Sequence, residues 1–507
     1  MSPLTYRIST LGCRVNHAEA RDFEAVLLSR GLQASEKGWP ADIEVVHTCS
    51  VTGTAASKSR HALRQAGRRG QTKLVPQGLP FKGTPALRLN HHQAAGSSQL
   101  HPLVIATGCF ASTNLSEAIE LTASGDIIPH YAADGSTIIE RFTQRIDRWL
   151  ADIKRTPSPI RDASSTSSIC NLLHLPVIKP RAPGSAHIRA ELRIQDGCDA
   201  HCTFCIIPSI RKTLRSKRIA DVVEETRCLI DLGHQEIVLT GIFIGAYGHE
   251  TALRRNQQNR GASPLADLVD EVAQVPGLKR LRISSLEPGD VSGPLLDAMI
   301  ANAPVVVPHL HLPLQSGSDN ILKRMNRQYR VGEYLEMIDQ VNEGLTTDRD
   351  LKPAITTDII CGFPGETDED FQKTIHVARY VGFLHMHVFP YSAREGTAAA
   401  RWRDIHLRPE IIKSRVRTLI DLENNPLDGF SIRYRQRLLG RTLRVILEQP
   451  DKTDSKLMTG RCDHYALITI PTDKPRGSLV NAIITKVSPT QTCGEISPAD
   501  VILPILR

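Results

Sequence analysis

The sequence lacks any long hydrophobic run. Apolar residues make up 41% of its 507 residues, but no uninterrupted stretch approaches the roughly 20 residues that a membrane-spanning helix needs. The first ten residues also lack the hydrophobic segment of a secretory signal peptide. We therefore expect a cytoplasmic protein with no membrane partner.

Other classes of protein are excluded by composition. Charged residues account for 23% of the chain, an ordinary figure for a folded protein, which argues against a disordered chain, a collagen-like repeat or a small disulfide scaffold. The 11 cysteines are odd in number and come without a secretory context, so a disulfide framework is not expected. Many of them follow predicted strands and adjoin glycines, which indicates metal or sulfur chemistry.

Positive charge is concentrated near the C-terminus. The chain has 62 basic and 54 acidic side chains, a formal net charge of +8. Residues 430–507 contain 12 basic and 7 acidic side chains, so more than half of the excess lies in the last sixth of the chain. This concentration suits a polyanion such as nucleic acid, with a solvated basic surface as the alternative.

Three N-terminal segments share one local pattern. Predicted strands at residues 6–11, 43–48 and 103–107 are each followed by a cysteine and then a helix, which indicates a doubly wound parallel sheet. Asn16 is the predicted N-cap of the first helix. Cys13, Cys49 and Cys109 come just past the strands, so we expect them to converge at the carboxyl edge of the sheet. Cysteines that merely fill tight turns are the alternative, but three in one topological position favour a shared ligand role.

The rest of the chain divides by pattern into further segments. Residues 1–150 form the predicted N-terminal α/β domain, which is interrupted at 71–101 by a predicted surface insertion containing His91 and His92. Residues 151–186, rich in proline and serine, read as a linker. Residues 187–428 alternate strands with amphipathic helices in six units, which indicates a partial (β/α)6 barrel. Residues 429–507 carry strands without intervening helices, as in a small β-barrel. The six predicted barrel strands are 191–195, 236–240, 280–284, 309–313, 354–360 and 385–389.

The strongest chemical signal is a loop after the first barrel strand. Cys198, Cys202 and Cys205 lie within eight residues. Structural zinc normally takes four protein ligands in two separated pairs; no second pair lies nearby, although His201 is a possible fourth ligand. Three cysteines fit a [4Fe–4S] cluster that keeps one iron open to an exogenous ligand.

Six further motifs accompany the segment at 194–208 that contains this loop. They are TLGCRVN at 10–16, HTCSVT at 47–52, TGCF at 107–110, LTGIFIG at 239–245, LPLQSGS at 312–318 and GFPGET at 362–367. Together they resemble the radical S-adenosylmethionine (SAM) methylthiotransferase family over nearly the whole chain. The C-terminal barrel is similar to the TRAM domain of tRNA-modifying enzymes.

The resemblance implies two [4Fe–4S] clusters and SAM as cofactors. Cys198, Cys202 and Cys205 would be the catalytic cluster ligands, and one-electron cleavage of SAM would yield a 5′-deoxyadenosyl radical that abstracts hydrogen from the substrate. A second cluster would activate the sulfur. The implied ligands of that second cluster are Cys13, Cys49 and Cys109. Polar groups at the strand ends would contact SAM, although hydrogen bonds within the barrel rim explain them equally well. These groups are Thr240, Gly241, Ser284, Ser285 and Gln315.

A row of arginines before and along the first C-terminal strand is predicted to bind RNA. Residues that alternate along a strand share one face, and such a face can follow a phosphate backbone with a steep salt dependence. The predicted RNA-binding residues are Arg433, Arg435, Arg437, Arg441 and Arg444.

Within the family, two motifs favour one branch. TLGCRVN and the ISSLEP segment at 283–288 look most like enzymes acting on N6-threonylcarbamoyladenosine beside the tRNA anticodon. The implied partners are the tRNA anticodon stem-loop, an electron donor of the flavodoxin or ferredoxin type, and a sulfur donor. Methylthiolation of N6-isopentenyladenosine is the second hypothesis, and modification of a ribosomal protein is the third. A non-enzymatic, zinc-containing RNA-binding protein is the alternative outside the family.

Two features depart from the family pattern. His47 stands where the family usually has asparagine, which leaves the tuning of the second cluster open. The insertion at 71–101 lies between Cys49 and Cys109 in the sequence. Its effect on access to the second cluster is left open. The other cysteines are predicted to be packing residues, namely Cys170, Cys228, Cys361, Cys462 and Cys493.

Overall fold

The computed structural model describes residues 3–36, 38–70, 102–122, 126–153, 188–254, 263–347 and 351–498. The chain divides into two compact units, residues 1–169 and 170–507. The predicted insertion at 71–101 and nearly all of the predicted linker at 151–186 lie outside the described residues, so the domain boundaries stay predictions. In the described part of the chain, no helix has both the length and the apolar character to cross a membrane.

The first unit is a parallel sheet with helices. Its strands are β1 Thr5–Thr10, β2 Gln33–Ala34, β3 Ile43–Thr48, β4 Leu103–Gly108 and β5 Ile127–Ile128. Its helices are α1 Arg14–Ser29, α2 Gly53–Gly70, α3 Cys109–Thr113, α4 Leu115–Thr122 and α5 Ile138–Asp152. The strand order is β2-β1-β3-β4-β5, and all four pairings are parallel. This arrangement confirms the predicted doubly wound sheet.

The central strands of this sheet end at a common edge. Every residue of β3 and β4 is buried, as expected for strands covered on both faces. The register pairs Thr10 with His47 and Thr48 with Gly108. Because β1, β3 and β4 are neighbours, the residues that follow them lie side by side.

The second unit begins with an arc of parallel strands, to which one short strand, β7, is added in antiparallel pairing. Its strands are β6 Arg189–Asp196, β7 Arg215–Ser216, β8 Glu236–Gly241, β9 Arg280–Ile283, β10 His309–His311, β11 Ala354–Cys361 and β12 His385–Pro390. Its helices are α6 Ile207–Ile210, α7 Ile219–Asp231, α8 Pro264–Ala273, α9 Gly293–Ala301, α10 Asp319–Arg324, α11 Val331–Leu345, α12 Asp368–Val381 and α13 Pro409–Asn424.

Six strands of this arc form the predicted partial barrel. One sheet has the order β7-β6-β8-β9 and the other β10-β11-β12. Parallel bridges from Leu281 to Val306 and from Ser285 to His311 join the two sheets. Apolar residues from the outer faces of the strands pack against the helices in one continuous core. The six predicted β/α units and the α/β class are confirmed.

A closed five-stranded barrel follows the arc. After α14 Phe430–Gln436 come β13 Thr442–Pro450, β14 Leu457–Cys462, β15 Leu467–Pro471, β16 Leu479–Val487 and β17 Thr492–Ile496, with the order β13-β14-β15-β17-β16. This confirms a small C-terminal β-barrel. The strand geometry assumed for its arginines is partly wrong, because Arg433 and Arg435 lie on α14 and only Arg444 lies on a strand.

The small barrel is fixed to the amino ends of the arc strands by buried charges. Glu236 on β8 accepts from Arg282 at 2.7 Å and lies 3.1 Å from Arg280, and all three side chains are buried. Both arginines also donate to the carbonyl oxygen of Cys462 in the small barrel. Burial alone would raise the pKa of Glu236, but the surrounding arginines outweigh it and hold this pKa below its usual value.

Candidate active site and cysteine loops

The three-cysteine loop begins where β6 ends. Gly197 has φ +84°, and a Cβ there would lie 2.1 Å from the Thr213 carbonyl oxygen, so only glycine allows this turn. The Cys198 amide donates to the Arg211 carbonyl at 3.1 Å, and the Cys205 amide donates to the Cys202 carbonyl at 3.0 Å. These bonds hold the cysteine backbone in a defined loop at the carboxyl end of the strand.

The segment at the end of α10 holds this loop in place through hydrogen bonds. The Thr203 amide donates to the Met325 carbonyl at 3.0 Å, and its hydroxyl donates to the Arg324 carbonyl at 2.8 Å. The Asn326 side chain donates to the His201 carbonyl at 3.1 Å. His201, the candidate fourth zinc ligand, is exposed. The loop that follows β6 is therefore positioned by the end of α10.

Arg327 contacts a candidate ligand directly. Its Nη1 lies 3.2 Å from the Cys202 sulfur, and its Nη2 donates to Glu287. Burial raises the pKa of all three thiols, that of Cys205 to about 12, and at Cys202 the charge of Arg327 opposes this effect. Three sulfur donors beside a buried cation fit an iron–sulfur cluster, whose assembly must displace the thiol protons.

The structure also brings the N-terminal cysteines to one edge. Cys13 is the N-cap of α1, Cys49 follows β3, and Cys109 is the first residue of α3. Gly12 has φ +109°, and a Cβ there would lie 2.7 Å from the Cys49 sulfur. Positions 12 and 49 are therefore in close contact across two strands, as the sequence pattern predicts.

Asn16 has a different role from the predicted one. The helix begins at Arg14 with Cys13 as N-cap, so Asn16 lies inside the first turn. Its amide nitrogen donates to the carbonyl oxygens of Leu11 at 2.7 Å and Thr48 at 3.0 Å. This buried side chain ties the ends of β1 and β3 together beneath the cysteines.

His47 points toward α1. Its Nε2 lies 3.1 Å from a carboxylate oxygen of Glu19, and both side chains are fully buried. His130 lies 3.9 Å from the other oxygen of the same carboxylate. Glu19 thus provides a polar partner inside the domain for the histidine that replaces the family's asparagine.

The predicted cofactor contacts lie at the ends of three neighbouring strands and on the following loop. Thr240 is buried and Gly241 ends β8; a Cβ at Gly241 would lie 3.0 Å from the side-chain oxygen of Gln195. Gln195 accepts from the Phe243 amide at 2.8 Å, so hydrogen bonding within the rim accounts for this glycine.

Of the remaining three predicted contacts, Ser284 is buried and the other two stay open to a ligand. Ser285 is exposed beside its bridge to His311. Gln315 has φ +59°, and its buried side-chain oxygen has no hydrogen-bond partner within the described residues. An unpaired buried oxygen at a strand end suits a polar cofactor such as SAM.

The predicted RNA-binding arginines differ in their surroundings. Arg435 donates to the carbonyl oxygens of Ser488 and Pro489, and Arg444 pairs with Asp463 at 2.8 Å. These two side chains therefore stabilise the barrel. Three others lie nearer solvent, with Arg433 and Arg437 exposed and Arg441 half-buried.

Sequence reasoning missed Arg327 altogether and missed the observed role of Asn16. Both act on residues distant in the chain, which no local pattern indicates. An arginine shortly after a helix reads as a solvated charge, and no periodicity distinguishes this one as buried.

A six-stranded parallel arc with a three-cysteine loop after its first strand defines a radical SAM enzyme. The model of the radical SAM superfamily matches residues 192–378, and that of an uncharacterized protein family, UPF0004, matches residues 5–78. A solved structure of the radical SAM methyltransferase TsrM from Kitasatospora setae shares the fold with a TM-score of 0.50 and 11% identity, covering 79% of this chain and 74% of that one.

Curated relatives give the family. The chain is 30% identical over 487 residues to threonylcarbamoyladenosine tRNA methylthiotransferase MtaB of Bacillus subtilis, covering 95% of this chain and 94% of that protein. It is also 30% identical over 484 residues to tRNA-2-methylthio-N(6)-dimethylallyladenosine synthase of Mycobacteroides abscessus, covering 94% and 84%. The chain belongs to the radical SAM methylthiotransferase family. Membership implies a [4Fe–4S] cluster and SAM, and it argues against the non-enzymatic zinc protein.

Proposed function

We propose that this enzyme converts N6-threonylcarbamoyladenosine beside the tRNA anticodon to its 2-methylthio derivative, using two [4Fe–4S] clusters. The observation that carries the proposal is a pair of cysteine triads, each at the carboxyl ends of parallel strands in its own unit. MtaB relatives favour the threonylcarbamoyl substrate. Relatives named for the dimethylallyl substrate match at similar identity, so that reaction is the second candidate.

In the second unit, the chain's own residues would hold and shield the cofactors. Cys198, Cys202 and Cys205 would ligate one cluster, which when bound supplies the electron that cleaves SAM. Arg327 would donate to the Cys202 sulfur and offset its negative charge. Gln315 and Ser285 would contact SAM through the polar groups that the rim leaves available.

In the first unit, Cys13, Cys49 and Cys109 would ligate the second cluster. Asn16 fixes the backbone around them by joining two strand ends. Ser59 adds a further constraint, because its hydroxyl accepts from the Cys49 amide at 3.0 Å and donates to the Cys49 carbonyl at 2.8 Å. Both residues would keep the sulfur ligands in place without touching a cluster.

The exposed arginines of the C-terminal segment would bind the phosphate backbone. Arg433, Arg437 and Arg441 are the candidates because they lie nearer solvent, whereas Arg435 and Arg444 are tied to the small barrel. The slope of log affinity against log salt concentration is negative, and each lost phosphate contact should make it less steep by about 0.7 to 0.9. Salt-dependent tRNA binding by an Arg433→Gln/Arg437→Gln double variant tests this surface, and an unchanged slope would reject it.

Nucleoside mass spectrometry of tRNA tests the reaction itself. A strain deleted for this gene should lose 2-methylthio-N6-threonylcarbamoyladenosine and regain it with the wild-type gene. Complementation with Cys49→Ala or with Cys202→Ala should fail, because each substitution removes a ligand of one cluster. Loss of the isopentenyl product instead would establish the second candidate.

A further inference from the structure

A polar cluster lies in the second unit outside both cysteine triads. His311 Nε2 is 3.3 Å from an oxygen of Asp358, and His311 Nδ1 is 2.9 Å from the Thr356 hydroxyl. One ligand atom from each of His311, Asp358 and His387 lies within 4.8 Å of the other two. We call these three residues the lumen cluster.

Strand alternation places the lumen cluster on the inner face of the arc. Leu312, Ile359 and Met386 neighbour its members in sequence and pack outward into the core against the helices. Successive side chains of a strand point to opposite faces. The lumen cluster therefore faces the barrel interior, where His387 is exposed and the other two members are half-buried.

A layer of packed side chains lies below the lumen cluster, toward the amino ends of the strands, and we call this layer the floor. The ring of Tyr465, from the small barrel, stacks on His309 with centroids 4.1 Å apart and lies beneath the guanidinium groups of Arg189 and Arg282. His311 comes two residues after His309, one layer nearer the carboxyl ends. The lumen cluster thus lies between this floor and the edge that carries the cysteine loop.

The cluster offers hydrogen bonds of both kinds to a ligand. The carboxylate of Asp358 accepts, and the imidazole of His387 can donate. Partial desolvation by the surrounding strands and the neighbouring His385 lower the pKa of His387, which favours its neutral form. His385 pairs with Glu423 at 2.6 Å and is engaged there.

These groups discriminate between the two candidate substrates. A threonylcarbamoyl substituent carries ureido N–H donors, a carbonyl, a hydroxyl and a carboxylate, whereas a dimethylallyl substituent has no hydrogen-bonding atom. An apolar group placed against the cluster would remove polar atoms of Asp358 and His387 from water without replacing their hydrogen bonds, which is unfavourable. Sites built to bind a polar substituent reject its apolar analogue for this reason.

We propose that the lumen cluster binds the polar N6 substituent of the substrate adenosine, with Asp358 accepting from its ureido N–H groups and His387 donating to one of its oxygen atoms. This inference rests on the proposed function. It makes Asp358 and His387 determinants of substrate choice within the barrel.

The test uses the reconstituted full-length enzyme and anticodon stem-loop hairpins. Three hairpins carry threonylcarbamoyladenosine, isopentenyladenosine or unmodified adenosine at the same position, and both affinity and methylthio product are measured. Asp358→Asn and His387→Leu should each weaken binding of the threonylcarbamoyl hairpin by about tenfold or more, with binding of the unmodified hairpin unchanged. His387→Asn retains a donor and should recover part of the loss. His376→Leu, on the exposed surface of α12, is the matched control and should match wild type.

The outcomes separate this inference from the proposed function. If the wild-type enzyme prefers the isopentenyl hairpin, the proposed function fails and the inference with it. If the wild type prefers the threonylcarbamoyl hairpin and both variants keep that preference, the inference alone is overturned. The wild-type enzyme could also hold one metal ion per chain in addition to the cluster iron. If only His387→Leu loses that ion, the lumen cluster is a metal site and the inference is overturned.

Discussion

Substituting Gly12 tests whether the N-terminal cysteines form a metal site. An alanine Cβ at this position would lie 2.6 Å from the Cys49 Cβ and 2.7 Å from its sulfur, more than 1 Å closer than an ordinary contact of roughly 4 Å. Cys49 must therefore move by about 1 Å, while the φ of +109° adds about 1–2 kcal/mol of backbone strain. A shift of this size is large for one of three cysteine sulfurs that must all bind the same cluster.

We expect Gly12→Ala to lose the second cluster and keep the first. Iron should fall from about eight to about four atoms per chain, and the methylthio product should disappear while reductive cleavage of SAM continues. Iron and sulfide analysis after anaerobic reconstitution measures the first effect, and chromatography of 5′-deoxyadenosine measures the second.

Gly31→Ala is the matched control for this experiment. Gly31 also has a positive φ, +78°, but no heavy atom lies within 4 Å of the position of its Cβ. It carries similar backbone strain without the contact to a cysteine, so it should retain about eight irons. A Gly12→Ala enzyme with full iron and full activity would refute the assignment of Cys49 to a cluster.

Three further predictions concern the second unit. Glu236→Gln should lower the free energy of unfolding at pH 7 by about 3–5 kcal/mol in urea titrations, because it leaves buried arginines uncompensated; a loss below 1 kcal/mol would contradict this. Burial lowers the pKa of His464 to about 4, so stability should fall by about 2 kcal/mol between pH 7.5 and pH 5, as the unfolded state takes up the proton first. The His464→Gln variant should lack that decrease. Arg327→Gln should make the reduction potential of the cluster at Cys202 more negative by about 60 mV; an unchanged potential in titrations followed by electron paramagnetic resonance would show that the bond to sulfur is absent.

Much of the N-terminal site follows from local sequence. Each relevant strand is short and is followed within three residues by a cysteine, and parallel topology brings such positions together. The strand predicted at 43–48 is observed at those residues. The position of Asn16 could not be predicted, because its hydrogen bonds join Leu11 and Thr48 across the sheet and no local pattern contains them.

The C-terminal arginines show where a short pattern is ambiguous. Basic residues at every second position before and along the first C-terminal strand suggested that several share one face, as in a strand, but the segment at 430–436 is helical. Tertiary packing decided the outcome, since Phe430, Ile432 and Tyr434 are all buried in a segment too short for periodicity to distinguish helix from strand.

Part of the lumen cluster follows a pattern that is visible in the sequence. His385, His387 and Phe389 alternate with apolar residues along one predicted strand, as His309 and His311 do along another. Alternation in a buried parallel strand indicates a polar inner face. The contact between Tyr465 and His309 had no such signal, because it joins segments more than 150 residues apart.

The position of Tyr465 beneath the arc has a consequence for the order of events in catalysis. With Tyr465 packed at the amino ends of its strands, the arc leaves its carboxyl rim and its unclosed side between β12 and β6 for entry, within the described residues. A nucleoside that reaches the lumen cluster from that rim passes the cysteine loop, so SAM bound beside the loop should slow its arrival and its departure. Rapid-mixing measurements of hairpin association with and without SAM would reveal this effect.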